Sequence, residues 1–382
     1  MNAASGARGD LALVLSGGGA RAAYQVGVLR FLADRRPDLE IPILTGVSAG
    51  SINASFLACR EGTFSAAAYR LAEIWSRMEV ETLFRVGPLS VASRFGKWGL
   101  RLSSGGARFA PENEGLVDTQ PLRKFLARHL GRVDGEFTGL ARNFERGALR
   151  AFAITAIDWA SGETVDWIAG RDVRAWRAPN RRAEIAAIGV DHVMASTSIP
   201  ILFPAARVGG SWYGDGGVRE SDPLWPATHL GADRILAVST RPAPTTEGAP
   251  IFGRRRYPRL AQILGVLSNA IFLDVLDDDF ARLEARRRLI EKLPAGDRES
   301  GRPIHGLLLR PSEDIGTLAA LYQHRLPRTF RFLVGGLGTR EIEGGDFLSL
   351  VMFVPEYLER LIALGEKDAA ARGEELLAFV DG

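Results

Sequence analysis

The sequence predicts an α/β fold built on a mainly parallel sheet with helices on both faces. Two segments and their order carry this expectation. "LALVLSGGGARAAYQVGVLRFLADRRP" reads as a buried strand, a glycine turn and an amphipathic helix. "IPILTGVSAGSINASFLACRE" repeats the same order directly afterwards. Consecutive strand-turn-helix units require crossover connections, and these cover a parallel sheet on both sides. A chain of 382 residues with 46% hydrophobic and 24% charged residues has ample core for one large domain and a smaller appendage.

The elements follow in order. Residues 11 to 15 form the first strand, and the helix after the glycines places Tyr24, Val28, Leu29 and Leu32 on one face until Pro37 ends it. A third helix is expected over residues 66 to 79. Residues 80 to 118 then lose any period, and such a long irregular stretch marks a functional segment. "LVDTQPLRKFLARHL" restarts a helix with Asp118 or Thr119 as cap and Pro121 in its first turn. Two strands joined at Ser161 and Gly162, a hairpin turning at Gly209 and Gly210, and the strand in "DRILAVSTR" come next. Beyond residue 241 the texture becomes helical. A long helix carries Leu260, Leu264, Leu267, Ile271 and Val275 on one side, and a short strand in "IHGLLLRP" precedes two terminal helices, the last centred on "FLSLVMFVPEYLERLIALG".

Several function classes are disfavoured. The net charge is +3 despite a sequence pI near 9.2, with acidic residues interspersed among the arginines, which argues against nucleic-acid binding. The single cysteine, Cys59, excludes an intrachain disulfide framework and reads as helix core. "LALVL" is too short for a signal-peptide core, and no stretch approaches the roughly 18 apolar residues of a membrane span. A cytoplasmic protein with peripheral membrane contact is expected.

Three turns could carry chemistry. Gly46-Val47-Ser48-Ala49-Gly50 is a G-x-S-x-G pattern between a strand and a helix, where small neighbours let the backbone tighten and the serine hydroxyl project. The bland alternative is that Ser48 only caps the helix. Gly17-Gly18-Gly19-Ala20-Arg21-Ala22 fits a dinucleotide fingerprint in outline, but the second strand ends in Thr45 and Gly46 where an acidic residue should hold the ribose. Its other reading is a loop of exposed N–H groups facing a developing oxyanion. Both turns close the carboxyl ends of adjacent parallel strands, the edge where open α/β sheets bind ligands. Asp215, in "WYGDGGV", sits at a strand end with glycines that allow close approach. None of His129, His192, His229, His305 and His324 lies in an obviously reactive setting.

"GGGARAAYQVGVL", "GVSAGS" and "YGDGG", in this order, together with "ASTSIPILFPAARVGGSWYGDGG", resemble the patatin-like phospholipases over roughly residues 11 to 240. The resemblance implies a three-layer patatin-like sandwich as catalytic domain over 11 to 240, with residues 241 to 382 a mainly helical extension packed on it. It further implies Ser48 as nucleophile paired with Asp215 in a dyad without histidine, and Gly17, Gly18 and Gly19 as the oxyanion hole. Arg21 matches the family's basic residue and is expected to help hold phosphate, while Gly46, Gly50, Gly216 and Gly217 are the glycines of the elbow and of the aspartate motif. No metal or organic cofactor is implied, and the expected substrate is a phospholipid or other acyl-ester lipid met at a membrane surface. Ala22 departs from the family's glycine.

A free aspartate with a pKa of about 3.9 is a poor base at neutral pH, so burial or tight geometry has to compensate. Two rivals remain at this point: a conventional triad of Ser48, Asp215 and His229, and a lipid-binding protein of the same fold with little turnover. For membrane contact the sequence offers residues 94 to 109, where Arg94, Lys97, Arg101 and Arg108 alternate with Phe95, Trp98, Leu100 and Phe109 in the irregular segment where a lid would be placed, a plain surface loop being the alternative. "RRRYPRLAQILGVLSNAIF" offers a second basic and apolar stretch, more simply read as packed against the domain.

Overall fold

Leu11, Leu13 and Leu15 point to one side of the first strand and Ala12 and Val14 to the other, and both sides are buried in separate hydrophobic cores. This is the signature of a strand covered on two faces. A computed structural model of the chain describes residues 10–85, 96, 115–131, 135–243, 275–294, 302–336 and 345–382.

The strands are β1 (Leu11–Leu15), β2 (Ile43–Val47), β3 (Ala151–Asp158), β4 (Thr164–Gly170), β5 (Arg177–Ala178), β6 (Arg181–Ile185), β7 (Ala206–Val208), β8 (Ser211–Asp215), β9 (Arg234–Val238) and β10 (His305–Leu309). They form one sheet in the order β10-β9-β1-β2-β3-β4-β6-β5, with the β7-β8 hairpin attached to β3. From β10 to β3 every pairing is parallel. β4 returns antiparallel to β3, so the fold is mixed α/β on a mainly parallel sheet, as the sequence predicts.

The helices are α1 (Ala23–Arg35), α2 (Ala49–Ala58), α3 (Phe64–Ser76), α4 (Val80–Leu83), α5 (Gln120–Leu130), α6 (Thr138–Glu145), α7 (Val190–Ser196), α8 (Trp225–His229), α9 (Val275–Lys292), α10 (Ile315–Tyr322), α11 (Arg328–Gly336), α12 (Gly345–Val351), α13 (Pro355–Ala371) and α14 (Gly373–Asp381). Side chains of α1, α2, α3 and α13 join the core on one face, and Ala227, Leu276 and Leu283 from α8 and α9 pack on the other. These are three layers.

The long C-terminal helix expected around "FLSLVMFVPEYLERLIALG" is broken in two. Pro355 occupies the first turn of α13 and has no N–H to continue a helix from α12, so residues 352–354 cross between them. The helix α3 starts earlier than expected, because the Thr63 hydroxyl accepts from the Ala66 N–H and caps it at Phe64.

The residues beyond 241 are woven into the same body. β10 extends the parallel sheet next to β9, and α13 lies along α1 at backbone contact distance. Gly27 and Gly365 allow that approach, since a Cβ on either would sit about 2 Å from a carbonyl oxygen of the facing helix, that of Ile362 or Tyr24. Among the described residues no second core separates at residue 240.

The basic aromatic stretch at 94–109 lies outside the described residues except for Gly96, as does the stretch "RRRYPRLAQILGVLSNAIF". No helix among the described residues is long and apolar enough to cross a membrane.

Candidate active site

Parallel strands end on a common edge, and β1 and β2 deliver the two glycine turns to it side by side. Ser48 follows β2 directly and has φ 52 and ψ −129. A non-glycine residue in that region carries roughly 1–3 kcal/mol of strain, maintained only where the surroundings over-determine it. They do so here. A Cβ on Gly46 would lie 2.6 Å from the Gly50 carbonyl oxygen, and one on Gly50 would lie 2.1 Å from the Leu15 carbonyl oxygen. The G-x-S-x-G spacing therefore reflects two backbone contacts, one within the turn and one against β1. The Ser48 N–H donates to Ser196 Oγ at 2.9 Å, and Ser196 Oγ donates to the Thr155 carbonyl at 2.7 Å, which ties the turn to β3. Ser48 makes no side-chain cap to α2, so capping is not its role.

Asp215 ends β8 and is fully buried. Its N–H donates to the Ser198 carbonyl, and its Oδ1 accepts from the Gly217 N–H at 2.9 Å. A Cβ on Gly216 would lie 2.5 Å from the Thr155 carbonyl oxygen, so that glycine lets the aspartate turn close on β3. Burial pushes the Asp215 carboxyl up from 3.8 to about 7, while the facing Ser48 hydroxyl and the Gly217 N–H favour its charged form. Oδ2 carries no hydrogen bond of full geometry.

The glycine loop leans against the serine. A Cβ on Gly17 would stand 3.1 Å from Ser48 Cβ. Gly18 and Gly19 have φ of 140 and 56, which glycine reaches freely. Thr240 Oγ1 donates to the Gly17 carbonyl at 2.6 Å, which turns the adjoining Gly18 N–H to the opposite side of the peptide. Among the described residues the N–H groups of Gly18 and Gly19 have no acceptor, and the start of α2 adds its own free donors beside Ser48. Ala22 sits at φ −65 in helical conformation with its side chain fully buried, so alanine in place of the family's glycine strains nothing.

Arg21 departs from expectation. Its side chain is buried and committed to the C-terminal region, with Nε on Ser349 Oγ at 2.6 Å and Nη2 on Asp346 at 2.9 and 3.0 Å. The phosphate contact expected of it is not what this arrangement presents. His229 is likewise engaged elsewhere. It stacks on Trp225 and lies tilted against Trp176, its Nδ1 contacts the Trp225 carbonyl, and burial lowers its pKa. It makes no bond to Ser48 or Asp215, so the triad is not assembled.

Sequence reasoning passed over three supporting side chains. Gln25 donates to the Ser16 and Val238 carbonyls, Asn53 donates to Gln25 and to the Ala22 carbonyl, and Trp75 donates to Asn53. With Thr240 and Ser196 they hold both turns. The available signal was polar residues on wholly buried helix faces, Asn53 among Ser51 and Ser55.

Ser48 borders an apolar pocket that is also lined by Gly19, Ala49, Ile52, Trp75, Phe84 and Phe353. Free donors, a strained serine, a carboxylate near neutrality and an adjoining apolar pocket can together serve acyl transfer. Among the described residues no group of three or more His, Cys, Asp and Glu side chains is placed to hold a metal ion.

No match was found among the curated proteins. Solved structures similar to this chain include VipD from Legionella pneumophila, at 14% identity and TM-score 0.40, with 95% of this chain and 66% of that chain covered. Human GIVD cytosolic phospholipase A2 is similar at 12% identity and TM-score 0.46, covering 98% and 60%. The type III effector ExoU, of the Pseudomonas aeruginosa secretion system, is similar at 14% identity and TM-score 0.35, covering 96% and 53%. The chain thus spans between about half and two thirds of the length of these proteins. A family model for the patatin-like phospholipases matches residues 13–228, more than half of the chain and both glycine turns together with the aspartate motif, and the chain belongs to that family.

Proposed function

We propose that the protein is a serine acyl hydrolase acting on fatty acyl esters of phospholipids or lysophospholipids. The observation that carries this reading is the strained Ser48, bordering an apolar pocket, beside a buried Asp215 whose carboxyl is held near neutrality. Ser48 Oγ attacks the ester carbonyl as its proton passes to Asp215. The oxyanion of the tetrahedral intermediate accepts from the Gly18 and Gly19 N–H groups, aided by the positive end of α2. Collapse expels the alcohol, which takes the proton from Asp215, and leaves an acyl-enzyme on Ser48. Water, deprotonated by Asp215, then releases the fatty acid and regenerates the serine.

The raised pKa of Asp215 answers the objection to a dyad without histidine. A carboxylate near 7 matches the operating pH far better than one near 3.9, and so accepts a proton with less penalty. The pocket accounts for an acyl chain, and the headgroup is left towards solvent at a membrane surface. A long-chain fluorophosphonate offered with phospholipid vesicles tests this. An adduct mapped to Ser48 supports it, whereas an unmodified serine together with no fatty acid release refutes it.

A further inference from the structure

The family model ends at residue 228, yet one wall of the candidate site comes from beyond residue 345. Resting on the hydrolase reading, we infer that α12 is a working part of the active site, with Asp346 and Ser349 as positioning residues that hold the glycine loop through Arg21.

The loop needs such a hold. Gly18 and Gly19 are chosen for conformations other residues avoid, and the freedom that permits those conformations also lets the loop wander. Oxyanion donors stabilise a transition state only when held within about 0.5 Å of their productive place. From below, Thr240 and Gln25 fix the entry to the loop through the Gly17 and Ser16 carbonyls. Its exit is the short turn Gly19–Ala22, and the long side chain leaving that turn is Arg21.

Arg21 is 1% exposed, and among the described residues the hydrogen-bond partners of its side chain all lie on α12. Ser349 Oγ accepts from its Nε and donates in turn to the Asp346 carbonyl, so the hydroxyl is locked in direction. The Asp346 carboxylate adds the opposite charge at 3.0 Å. At the same place the backbones touch, since a Cβ on Gly19 would lie 2.0 Å from the Leu350 carbonyl oxygen. Leu350 and Phe353, which follow, line the pocket together with Ile52. α12 is anchored in its turn through α13, which packs on α1 by way of Gly365. Among the described residues, the segments that touch these glycines are therefore fixed to the sheet or to α1.

The test uses the full chain with Ser349→Ala, Ser349→Thr and Asp346→Asn. Each is assayed on a short-chain ester and on lysophospholipid, with thermal melting and hydrogen exchange alongside. Ser349→Ala is expected to lower kcat roughly tenfold or more with KM within about twofold, because a displaced donor is lost chiefly in the transition state. Exchange should rise in the peptide covering the glycine loop and stay unchanged in α13, and Ser349→Thr should restore most of the rate. Asp346→Asn preserves the side-chain volume and the main-chain acceptor and should fall between, so it carries the test should Ser349→Ala fold poorly. Unchanged kcat and unchanged loop exchange in the variants would overturn the inference, as would loosening of the loop and α13 together. Failure of the hydrolase reading shows separately, as a wild type without an adduct on Ser48.

Discussion

Ser48 and Asp215 meet because they close successive positions along one edge of β3. Val47 of β2 pairs with Thr155 in parallel, and Asp215 of β8 pairs with Ala156 in antiparallel sense. β2 uses the first part of that edge and β8 the remainder, while β4 occupies the other side. Where the two strands abut, their ends face each other, and the catalytic proposal depends on that junction.

The Asp215 carboxyl sets a pH dependence for both rate and stability. As base it must be ionised, so kcat should rise with pH along one limb with a midpoint near 7, and Asp215→Asn should lower it by about 10²- to 10⁴-fold. For stability the raised native pKa favours the protonated form. That contribution is fully present below the ordinary value of 3.8 and is lost as pH rises through about 7. Asparagine stays neutral, so the melting temperature of Asp215→Asn should exceed that of the wild type at pH 8, and the gap should narrow as the pH falls to 5. A gap independent of pH would contradict the assignment.

The glycines differ in what they protect. Alanine at Gly50 brings a methyl against the Leu15 carbonyl, and neither backbone can yield, so Gly50→Ala should prevent folding or destabilise by about 3 kcal/mol or more. Alanine at Gly17 crowds Ser48 Cβ at 3.1 Å and makes ordinary contacts with the Val47 carbonyl oxygen and Ser48 Oγ at 3.7 and 3.8 Å. Gly17→Ala should fold with nearly unchanged melting while losing roughly tenfold or more in kcat, as it crowds the space of the oxyanion. Circular dichroism melts beside initial rates separate the two outcomes.

Ile52 lines the pocket. Ile52→Trp should shorten it, lowering turnover of long-chain substrates about tenfold while affecting short-chain esters far less. Equal losses on both would mean that this pocket does not take the acyl chain.

Arg181 holds two buried carboxylates, with Nε and Nη2 on Asp166 at 2.6 and 2.8 Å and Nη1 on Glu220 at 2.8 Å. Burial raises the Glu220 carboxyl to about 7, even against the pull of Arg181. Removing the cation in Arg181→Met strands both acids, and a loss of about 3–5 kcal/mol is expected in chemical denaturation. Arg181→Lys should recover only part, because a single ammonium cannot span both partners in their fork geometry.

Much of the fold and the centre of the site were legible in the chain. "GGGARA", "GVSAGS" and "YGDGG" announce tight turns, because backbone contacts such as Gly50 on Leu15 and Gly216 on Thr155 admit no side chain. The unbroken apolar run of β1, buried along its whole length, is likewise a local property of sequence. The break before Pro355 was also written there, although the apolar run on either side of it reads as one helix.

Partnerships were decided elsewhere. The family resemblance implies a phosphate contact for Arg21, yet a helix over three hundred residues later claims it. His229 keeps the residue order of a triad but is stacked on Trp225. Sequence by itself determined which turns could bend and which residues stand in them, because backbone conformation is set by near neighbours. The tertiary structure alone decided that Asp215 ends one position from Val47 on β3, that its burial lifts the carboxyl to about 7, and that α12 seals the loop. Strand register and desolvation are properties of the assembled core, and no local pattern carries them.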